Sequence, residues 1–210
     1  PGLSDWQKAR LGKITASHFG DVKYLKSGAW GETALTYLYD LIGEHLTGQP
    51  SESFTGSKAT EWGNQYEEEA LMAYKQRTGR KTKLGHFLQD PKNPLVGGTP
   101  DAFCGEQGVL EIKCPFNFKN HLRTVITKKV PDDYKSQVLG HLMLSGREWC
   151  DFVSYDPRIK SQHRLVIVRV KAKEVQVEMD ELAQRIIDFH KLLLKQLEVL
   201  KIKSIHPIKF

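Results

Sequence analysis

The sequence predicts an α/β fold in which a central mixed β-sheet is flanked by helices. Apolar residues recur at intervals of three and four in several long stretches, a spacing typical of amphipathic helices. Short apolar segments broken by turn residues lie between those stretches and are typical of strands. Along the chain the order is helices, strands, one helix, more strands and a final helix, which favours a single domain over residues 1–210.

The helices are assigned by this apolar spacing. A short helix or turn is expected at residues 6–11, and residues 15–17 are the candidate start of another. Four longer helices are predicted over residues 31–45, 58–78, 131–145 and 175–200. Gly79 closes the second of these, because glycine is the commonest residue just after a helix end. Residues 48–57 are rich in Gly, Ser and Pro and predict a loop, and a short basic tail follows the last helix.

The strands are assigned by their β-forming residues and flanking turns. They are predicted over residues 83–88, 95–96, 101–104, 109–114, 150–155 and 164–170. The turn Gly-Glu-Gln-Gly at residues 105–108 joins two of them into a β-hairpin.

Composition excludes several classes of protein. Forty per cent hydrophobic and 27% charged residues are typical of an ordinary globular chain. No run approaches the roughly 18 apolar residues of a membrane span, so no membrane association is expected. Cys104, Cys114 and Cys150 are too few for a paired disulfide framework or a four-thiolate metal site, so we expect buried thiols in a cytoplasmic protein. The formal charge of +6 favours a polyanionic partner without establishing one.

The strongest chemical signal is Asp101 followed ten residues later by Glu111 and then Lys113. Side chains alternate between the two faces of a strand, so Glu111 and Lys113 share one face while Leu110, Ile112 and Cys114 pack on the other. The hairpin brings Asp101 beside Glu111. Two carboxylates and one ammonium group are therefore expected to converge.

This group suits metal-assisted phosphodiester hydrolysis. Carboxylates are the oxygen ligands that Mg²⁺ and Mn²⁺ prefer, and the backbone carbonyl of Ile112 is a candidate third ligand beside Asp101 and Glu111. Lys113 is expected to position the attacking water and to stabilise negative charge in the transition state. The alternative is that Glu111 and Lys113 form an ordinary surface ion pair, since Glu-X-Lys is common on exposed strands.

The acidic run of the predicted helix at residues 58–78 adds a further candidate ligand. Helical spacing places Glu67 on a mostly apolar face, where a metal would offset the cost of an unpaired carboxylate. Glu68 and Glu69 are expected to be solvated. His121 and His141 have no partner at metal-ligand spacing.

Four polar residues suit a phosphate group: Arg10, Ser17, Thr99 and Gln137. Arginine offers two parallel N–H donors to phosphate oxygens, and hydroxyl and amide groups add further donors. Sequence spacing does not show that these residues converge, and each alone has an ordinary surface or capping role as its alternative.

Several segments together resemble the lambda-type exonucleases of the YqaJ viral recombinase family, within the PD-(D/E)XK nuclease superfamily. The matching pieces, in chain order, are WQKARLG, ITAS, WGNQYE, TPD, LEIKCPF, YKSQ and YDPR, which run from residue 6 to residue 158. The resemblance implies a restriction-endonuclease-like core. It also implies an exonuclease that uses Mg²⁺, with Mn²⁺ as a substitute, to degrade one strand of linear duplex DNA processively from its 5′ end.

The family pattern implies partners and residue roles as well. It implies DNA ends with a 5′ phosphate, a homotrimeric ring, a single-strand annealing recombinase that uses the 3′ strand, and the cytoplasm of a bacterial host carrying a phage or prophage. Asp101, Glu111 and Glu67 are expected at the metal, and Lys113 at the attacking water. The DNA-binding residues are expected to be Arg10, Ser17, Thr99, Gln137 and Lys26.

The sequence departs from the family pattern in two places. Residues 59–61, Ala-Thr-Glu, are more polar than an apolar wedge that splits the duplex, and residues 116–131 match poorly but are basic enough for a DNA-facing edge. Two alternative functions stay open: a structure- or site-specific endonuclease with the same core, and a non-catalytic DNA-end-binding protein.

Overall fold

The computed structural model describes residues 3–51 and 58–206. Its helices are α1 Asp5–Arg10, α2 Glu32–Thr47, α3 Lys58–Thr78, α4 Phe118–Thr127, α5 Asp132–Ser145 and α6 Gln176–Val199. All but α4 lie where helices were predicted. The segment beginning at residue 15 is a strand residue followed by a single 3₁₀ turn, Ala16–His18, and not a longer helix. The predicted loop at residues 48–57 is described only to residue 51, and residues 52–57 lie outside the described part of the chain.

The strands form two sheets. They are β1 Ile14–Thr15, β2 Thr82–Leu84, β3 Leu88–Gln89, β4 Val96–Gly98, β5 Ala102–Cys104, β6 Gly108–Lys113, β7 Trp149–Tyr155 and β8 Leu165–Lys171. The five-stranded sheet has the order β2-β5-β6-β7-β8, in which only β6 and β7 are parallel. The smaller sheet has the order β1-β4-β3, in which β1 and β4 are parallel. The expected mixed sheet is therefore confirmed.

The strand predicted over residues 83–88 is wrong, because the chain changes sheets within it. β2 pairs with β5 of the large sheet, and β3 pairs with β4 of the small sheet. Gly85 lies between them, and a Cβ atom there would be 1.6 Å from the carbonyl oxygen of Pro100. Only glycine permits so close a backbone approach.

The helices cover both faces of the large sheet. On one face α2, α5 and α6 bury Phe103, Val109 and Phe152 in the larger core. On the other face α3 packs over Leu110 and Ile112, as the alternation in β6 predicted. Each fully buried side chain of this size contributes about 1.5–3 kcal/mol. No helix in the described residues is long and apolar enough to cross a bilayer.

The sequence did not predict α4, because its amphipathic pattern is inverted. The polar residues His121 and Thr124 are buried, whereas Phe118 and Ile126 are exposed. His121 Nδ1 lies 2.9 Å from Ser154 Oγ, and its Nε2 lies 2.8 Å from the carbonyl oxygen of His163. These hydrogen bonds, not apolar contacts, fix the inner side of the helix.

An ion pair with a buried carboxylate joins β7 and β8, where Asp151 is opposite Arg169 in the register. Arg169 donates to Asp151 through Nε and Nη2, each at 2.7 Å, and Tyr74 donates its hydroxyl to the same carboxylate, also at 2.7 Å. Asp151 is almost completely buried. Because all its charge is compensated by these donors, the carboxylate is tolerated inside the protein.

Candidate active site

The β5–β6 hairpin places Asp101 beside Glu111. Ala102 is opposite Leu110 in the pairing register, and the Asp101 backbone N–H donates to the Leu110 carbonyl at 3.1 Å. The Asp101 side chain turns towards β6, where its Oδ2 accepts from the Ile112 N–H at 2.5 Å. The predicted convergence of the two carboxylates therefore follows from strand pairing.

The close passage of Gly85 fixes the start of this hairpin. The Gly85 N–H donates to the Asp101 carbonyl at 3.1 Å, and the Gly85 backbone lies against Pro100. Pro100 is buried between Thr99 and Asp101, so these two residues are held at a fixed separation. The Asp101 backbone is thus secured from both sides.

Glu111 is buried between Lys113 and His141. Lys113 Nζ lies 2.5 Å from Oε1, and His141 Nε2 lies 2.7 Å from Oε2. Burial raises the pKa of Glu111, but Lys113 and His141 lower it by more, so the net shift is downwards. Burial lowers the pKa of Lys113, but Glu111 and Asp101 raise it by more. The carboxylate is therefore held ionised beside a charged lysine.

His141 is a site residue that the sequence prediction missed. It lies on α5, is completely buried, and was expected to lack a metal-site partner. Its hydrogen bond to Glu111 joins residues 30 positions apart. One signal was present: His141 follows Gln137 by four residues, so the two lie on the same side of the helix.

Asp101 is the electrostatically unfavourable member of the group. Burial and the nearby Glu111 charge raise the pKa of Asp101 well above its usual range, and Lys113 only partly opposes them. Two neighbouring carboxylates that lack a full complement of positive charge favour a bound cation. The donor set therefore suits a hard divalent metal, with Asp101 and Glu111 as its ligands and the Ile112 carbonyl as the predicted third.

Glu67 lies where a further ligand was expected, but its surroundings differ from the prediction. It lines a cavity of about 370 Å³ together with Ile112, Lys113 and Tyr134, and its side chain is exposed to that cavity. Partial burial and the Glu111 charge raise the pKa of Glu67. Among the described residues, no three or more His, Cys, Asp or Glu side chains are arranged to hold a metal ion. The ligand role of Glu67 therefore stays a prediction.

Glu69 was expected to be solvated; its side chain is 43% exposed but is also hydrogen-bonded. Its carboxylate accepts hydrogen bonds from the Tyr155 hydroxyl and from Arg164 Nη2, the latter at 2.8 Å. Glu69 thus belongs to a half-buried polar network between α3 and the β7–β8 pair. Helical spacing gave no sign of this, because Tyr155 on β7 and Arg164 just before β8 are both distant in sequence.

Arg10 and Ser17, two of the four candidate phosphate ligands, are in direct contact. Arg10 Nη2 donates to Ser17 Oγ at 2.8 Å and to Thr15 Oγ1 at 3.3 Å. Burial lowers the pKa of Arg10, while the charge of Glu111 acts in the opposite sense. The partly buried guanidinium group already donates to two hydroxyl groups, and an anionic ligand would add to these hydrogen bonds.

The segments containing Thr99 and Gln137 lie against the same turn. Thr15 is opposite Gly97 in the parallel β1–β4 pair, and a Cβ atom at Gly98, next to Thr99, would be 2.6 Å from Ala16 Cβ. The Thr99 hydroxyl is buried and has no hydrogen-bond partner among the described residues. Gln137 precedes Gly140 by one helical turn, and a Cβ atom at Gly140 would be 3.3 Å from Ala16.

Lys26 does not join this group. It lies on an exposed loop that is closed by a β-bridge between Tyr24 and Trp30. Trp30 stacks on Tyr24 and meets Phe189 of α6 edge-on, so the loop rests against the last helix. The contact between Lys26 and DNA stays a prediction, and it would involve a surface other than the one formed by the candidate phosphate ligands.

Cys104, Cys114 and Cys150 are all free and buried, as expected. They lie on β5, after β6 and on β7, and they contribute to the two cores.

Comparison with known proteins identifies the family. The family model of the YqaJ-like viral recombinase domain matches residues 5–148. The chain belongs to the YqaJ-like viral recombinase family. A search of curated proteins finds no match to this YqaJ-family chain.

Solved structures agree with this assignment. The crystal structure of an alkaline exonuclease, LHK-Exo, from Laribacter hongkongensis is 30% identical, with a TM-score of 0.84 over 95% of this chain and 96% of that chain. The complex of LHK-Exo with dAMP is 31% identical, with a TM-score of 0.85 and the same coverage, 95% and 96%. A phage-related exonuclease from Haemophilus somnus 129PT shares the fold at 18% identity, with a TM-score of 0.65 over 88% of this chain and 96% of that one.

These similarities confirm the expected family, the restriction-endonuclease-like fold and the exonuclease class of enzyme. The roles of individual residues in this YqaJ-family protein stay predictions, supported by the geometry above.

Proposed function

We propose that this protein is a Mg²⁺-dependent exonuclease that degrades one strand of linear duplex DNA from a 5′-phosphorylated end. It removes nucleotides processively and leaves a 3′ single strand for recombination by strand annealing. The observation that best supports this is the Asp101–Glu111 pair beside Lys113, in which burial and the Glu111 charge together raise the pKa of Asp101. Mn²⁺ would satisfy the same oxygen ligands.

The metal would be held by Asp101, Glu111, the Ile112 carbonyl and Glu67. When bound, a divalent cation neutralises phosphate charge and lowers the pKa of a coordinated water. Lys113 orients the attacking water and stabilises the negative charge that develops on the phosphate oxygens. His141, acting behind Glu111, holds that carboxylate in one orientation.

The polarity of the proposed reaction rests on the cluster of Arg10, Ser17, Thr99 and Gln137. Arg10 and Ser17 are already paired, and the unpartnered Thr99 hydroxyl is available to a ligand. Donors of this kind recognise a terminal phosphate dianion more strongly than an internal phosphodiester. A 5′ phosphate bound by these residues would define the end from which the enzyme starts.

The proposal extends to assembly and setting. Residues 1–210 act as one nuclease domain, three copies form a ring around the DNA, and a single-strand annealing recombinase takes up the 3′ strand. The bacterial cytoplasm is the proposed location. A solution mass near the 24.0 kDa of one chain would contradict the ring.

The decisive experiment uses linear duplexes labelled at either end, with and without a 5′ phosphate, in Mg²⁺ and in EDTA. We expect loss of the 5′-terminal label only with the metal, and faster loss with the phosphate. Arg10→Ala should reduce the preference for the phosphate about 10-fold or more, whereas Lys26→Ala should not.

Closed circular duplex distinguishes the alternatives. Cleavage of the circle would favour an endonuclease, and end binding without hydrolysis in any divalent metal would favour a non-catalytic protein. Degradation from the 3′ end would contradict the proposed polarity.

A further inference from the structure

An aromatic surface borders the cavity beside Lys113. We define it as the aromatic ledge, composed of Trp62, Phe116 and Arg158. The rings of Trp62 and Phe116 lie 5.8 Å apart at 79°, and the Arg158 guanidinium lies 4.7 Å from the Trp62 ring centroid. Phe116 lines the same cavity as Glu67 and Lys113 and is 50% exposed.

The ledge is held rigidly from behind. Arg158 donates through Nε and Nη2 to the completely buried Asp156, at 2.8 and 2.7 Å, and through Nη2 to the Pro115 carbonyl at 3.3 Å. Tyr66 packs against Trp62 with a ring separation of 4.5 Å. The guanidinium and the Trp62 ring are therefore fixed before any ligand arrives, which lowers the ordering cost of binding.

Phe116 is exposed although its ring contacts Trp62. Half of its side chain faces solvent, although the core lies close by, and it belongs to neither buried cluster. Single exposed apolar residues are ordinary on protein surfaces. This one differs because it shares a cavity with the proposed catalytic lysine and has a fixed arginine and tryptophan beside it.

We propose that the aromatic ledge binds an unpaired nucleobase of the strand being degraded, which stacks on Phe116 while its phosphate lies at the metal site. The proposal rests on the proposed nuclease function and adds a base subsite to it. Stacking on an aromatic ring tolerates any base, because every base has a π-face, and a nearby arginine adds a cation–π contribution. Such a subsite suits an enzyme that degrades DNA of any sequence.

The ledge also addresses how the terminal base pair opens. Residues 59–61, Ala-Thr-Glu before Trp62, are exposed and more polar than an apolar wedge. A base that leaves the duplex loses stacking with its neighbour, and stacking on Phe116 replaces part of that interaction. Strand separation is then assisted by capture of the displaced base.

The test uses a short oligonucleotide with a 5′ phosphate, phosphorothioate linkages that slow cleavage, and 2-aminopurine as its first base, in Ca²⁺. Stacking quenches 2-aminopurine fluorescence. We expect at least a twofold quench on binding to the full-length protein. Phe116→Ala should abolish most of the quench and weaken binding about fivefold or more. Phe116→Tyr should retain both properties, and Phe116→Leu should behave like the alanine variant.

Phe118→Ala is the matched control. Phe118 is 52% exposed, lies two residues further along the chain and does not line the cavity. The Phe118→Ala variant should bind the oligonucleotide and quench its 2-aminopurine fluorescence as the unchanged protein does. Equal quenching by Phe116→Ala and the unchanged protein would overturn the proposal, and so would full recovery by leucine or an equal loss in Phe118→Ala.

The experiment separates this proposal from the proposed function. Quenching that depends on Phe116, in a protein that does not degrade linear duplex in Mg²⁺, would keep the base subsite and reject the exonuclease. Degradation of linear duplex without quenching would keep the exonuclease and reject the subsite. All variants should be compared by thermal unfolding, and exposed Phe116 should tolerate replacement without a large loss of stability.

Discussion

Replacing His141 with alanine removes the hydrogen bond to Glu111 Oε2 inside a completely buried site. An ionised buried acceptor left without its partner costs about 2–3 kcal/mol, and the space left by the imidazole adds to that cost. The metal ligand also loses the group that fixes its orientation. Loss of such an outer partner typically weakens metal binding about 10–100-fold.

The assay has two parts, urea unfolding in EDTA and Mn²⁺ titration by calorimetry. We expect His141→Ala to lower the free energy of unfolding by about 2–4 kcal/mol and to weaken Mn²⁺ binding about 10-fold or more. His141→Gln keeps an N–H donor within reach of Glu111 and should recover part of the metal affinity.

His121→Ala is the matched control for this prediction. His121 is equally buried, and both of its ring nitrogens are hydrogen-bonded, but its partners are Ser154 and the His163 carbonyl. Its replacement should cost similar stability and leave Mn²⁺ affinity unchanged. Equal metal affinity in the two variants would refute the argument, because the loss in His141→Ala would then be purely structural.

Three further predictions concern the ion pairs. Lys113→Ala should slow strand degradation in Mg²⁺ by about 10²–10³-fold while DNA-end binding survives in a gel-shift assay. Arg169→Ala leaves Asp151 buried and poorly paired, so unfolding in urea should show a loss of about 2–4 kcal/mol with nuclease activity retained below the new melting temperature. Asp101→Asn should abolish Mg²⁺-dependent activity yet raise the melting temperature of the metal-free protein at pH 8. The folded-state pKa of Asp101 is raised, so the folded protein binds more protons than the unfolded chain, and stability falls as pH rises between the two pKa values.

Each of these predictions has a result that would contradict it. Full activity in Lys113→Ala would reject its role at the attacking water. Unchanged stability in Arg169→Ala would show that Tyr74 alone compensates Asp151. The stabilisation in Asp101→Asn should shrink as pH falls towards 4. A difference in melting temperature between the variant and the unchanged protein that is independent of pH would have a cause other than charge.

Local rules predicted the hairpin of the candidate active site correctly. Alternation along β6 places Glu111 and Lys113 on one face, and the short turn between β5 and β6 brings Asp101 back to them. Both inferences need only neighbouring residues. The same rules predicted the long helices, since their apolar spacing reflects the core that they bury.

The rest depends on packing between distant elements. His141 meets Glu111 only because α5 crosses β6, and Glu69 meets Arg164 only because α3 lies over β8. Gly85 changes sheets at a point that looks like the middle of one strand. In α4, polar residues face the protein interior and apolar residues face solvent, because hydrogen bonds of His121 take the place of apolar burial. The spacing of residues within one helix or strand does not predict these contacts.

Thr99 and Asp101 are separated by one buried proline at the junction of the two sheets. Two residues of extended chain span at most about 7 Å, and proline removes much of the freedom to vary that span. If Thr99 contacts the terminal phosphate and Asp101 the metal, the backbone between them would fix the distance from the end of the DNA to the bond that is cut. The size of the released fragment would then be set by covalent geometry and would not change with sequence or salt.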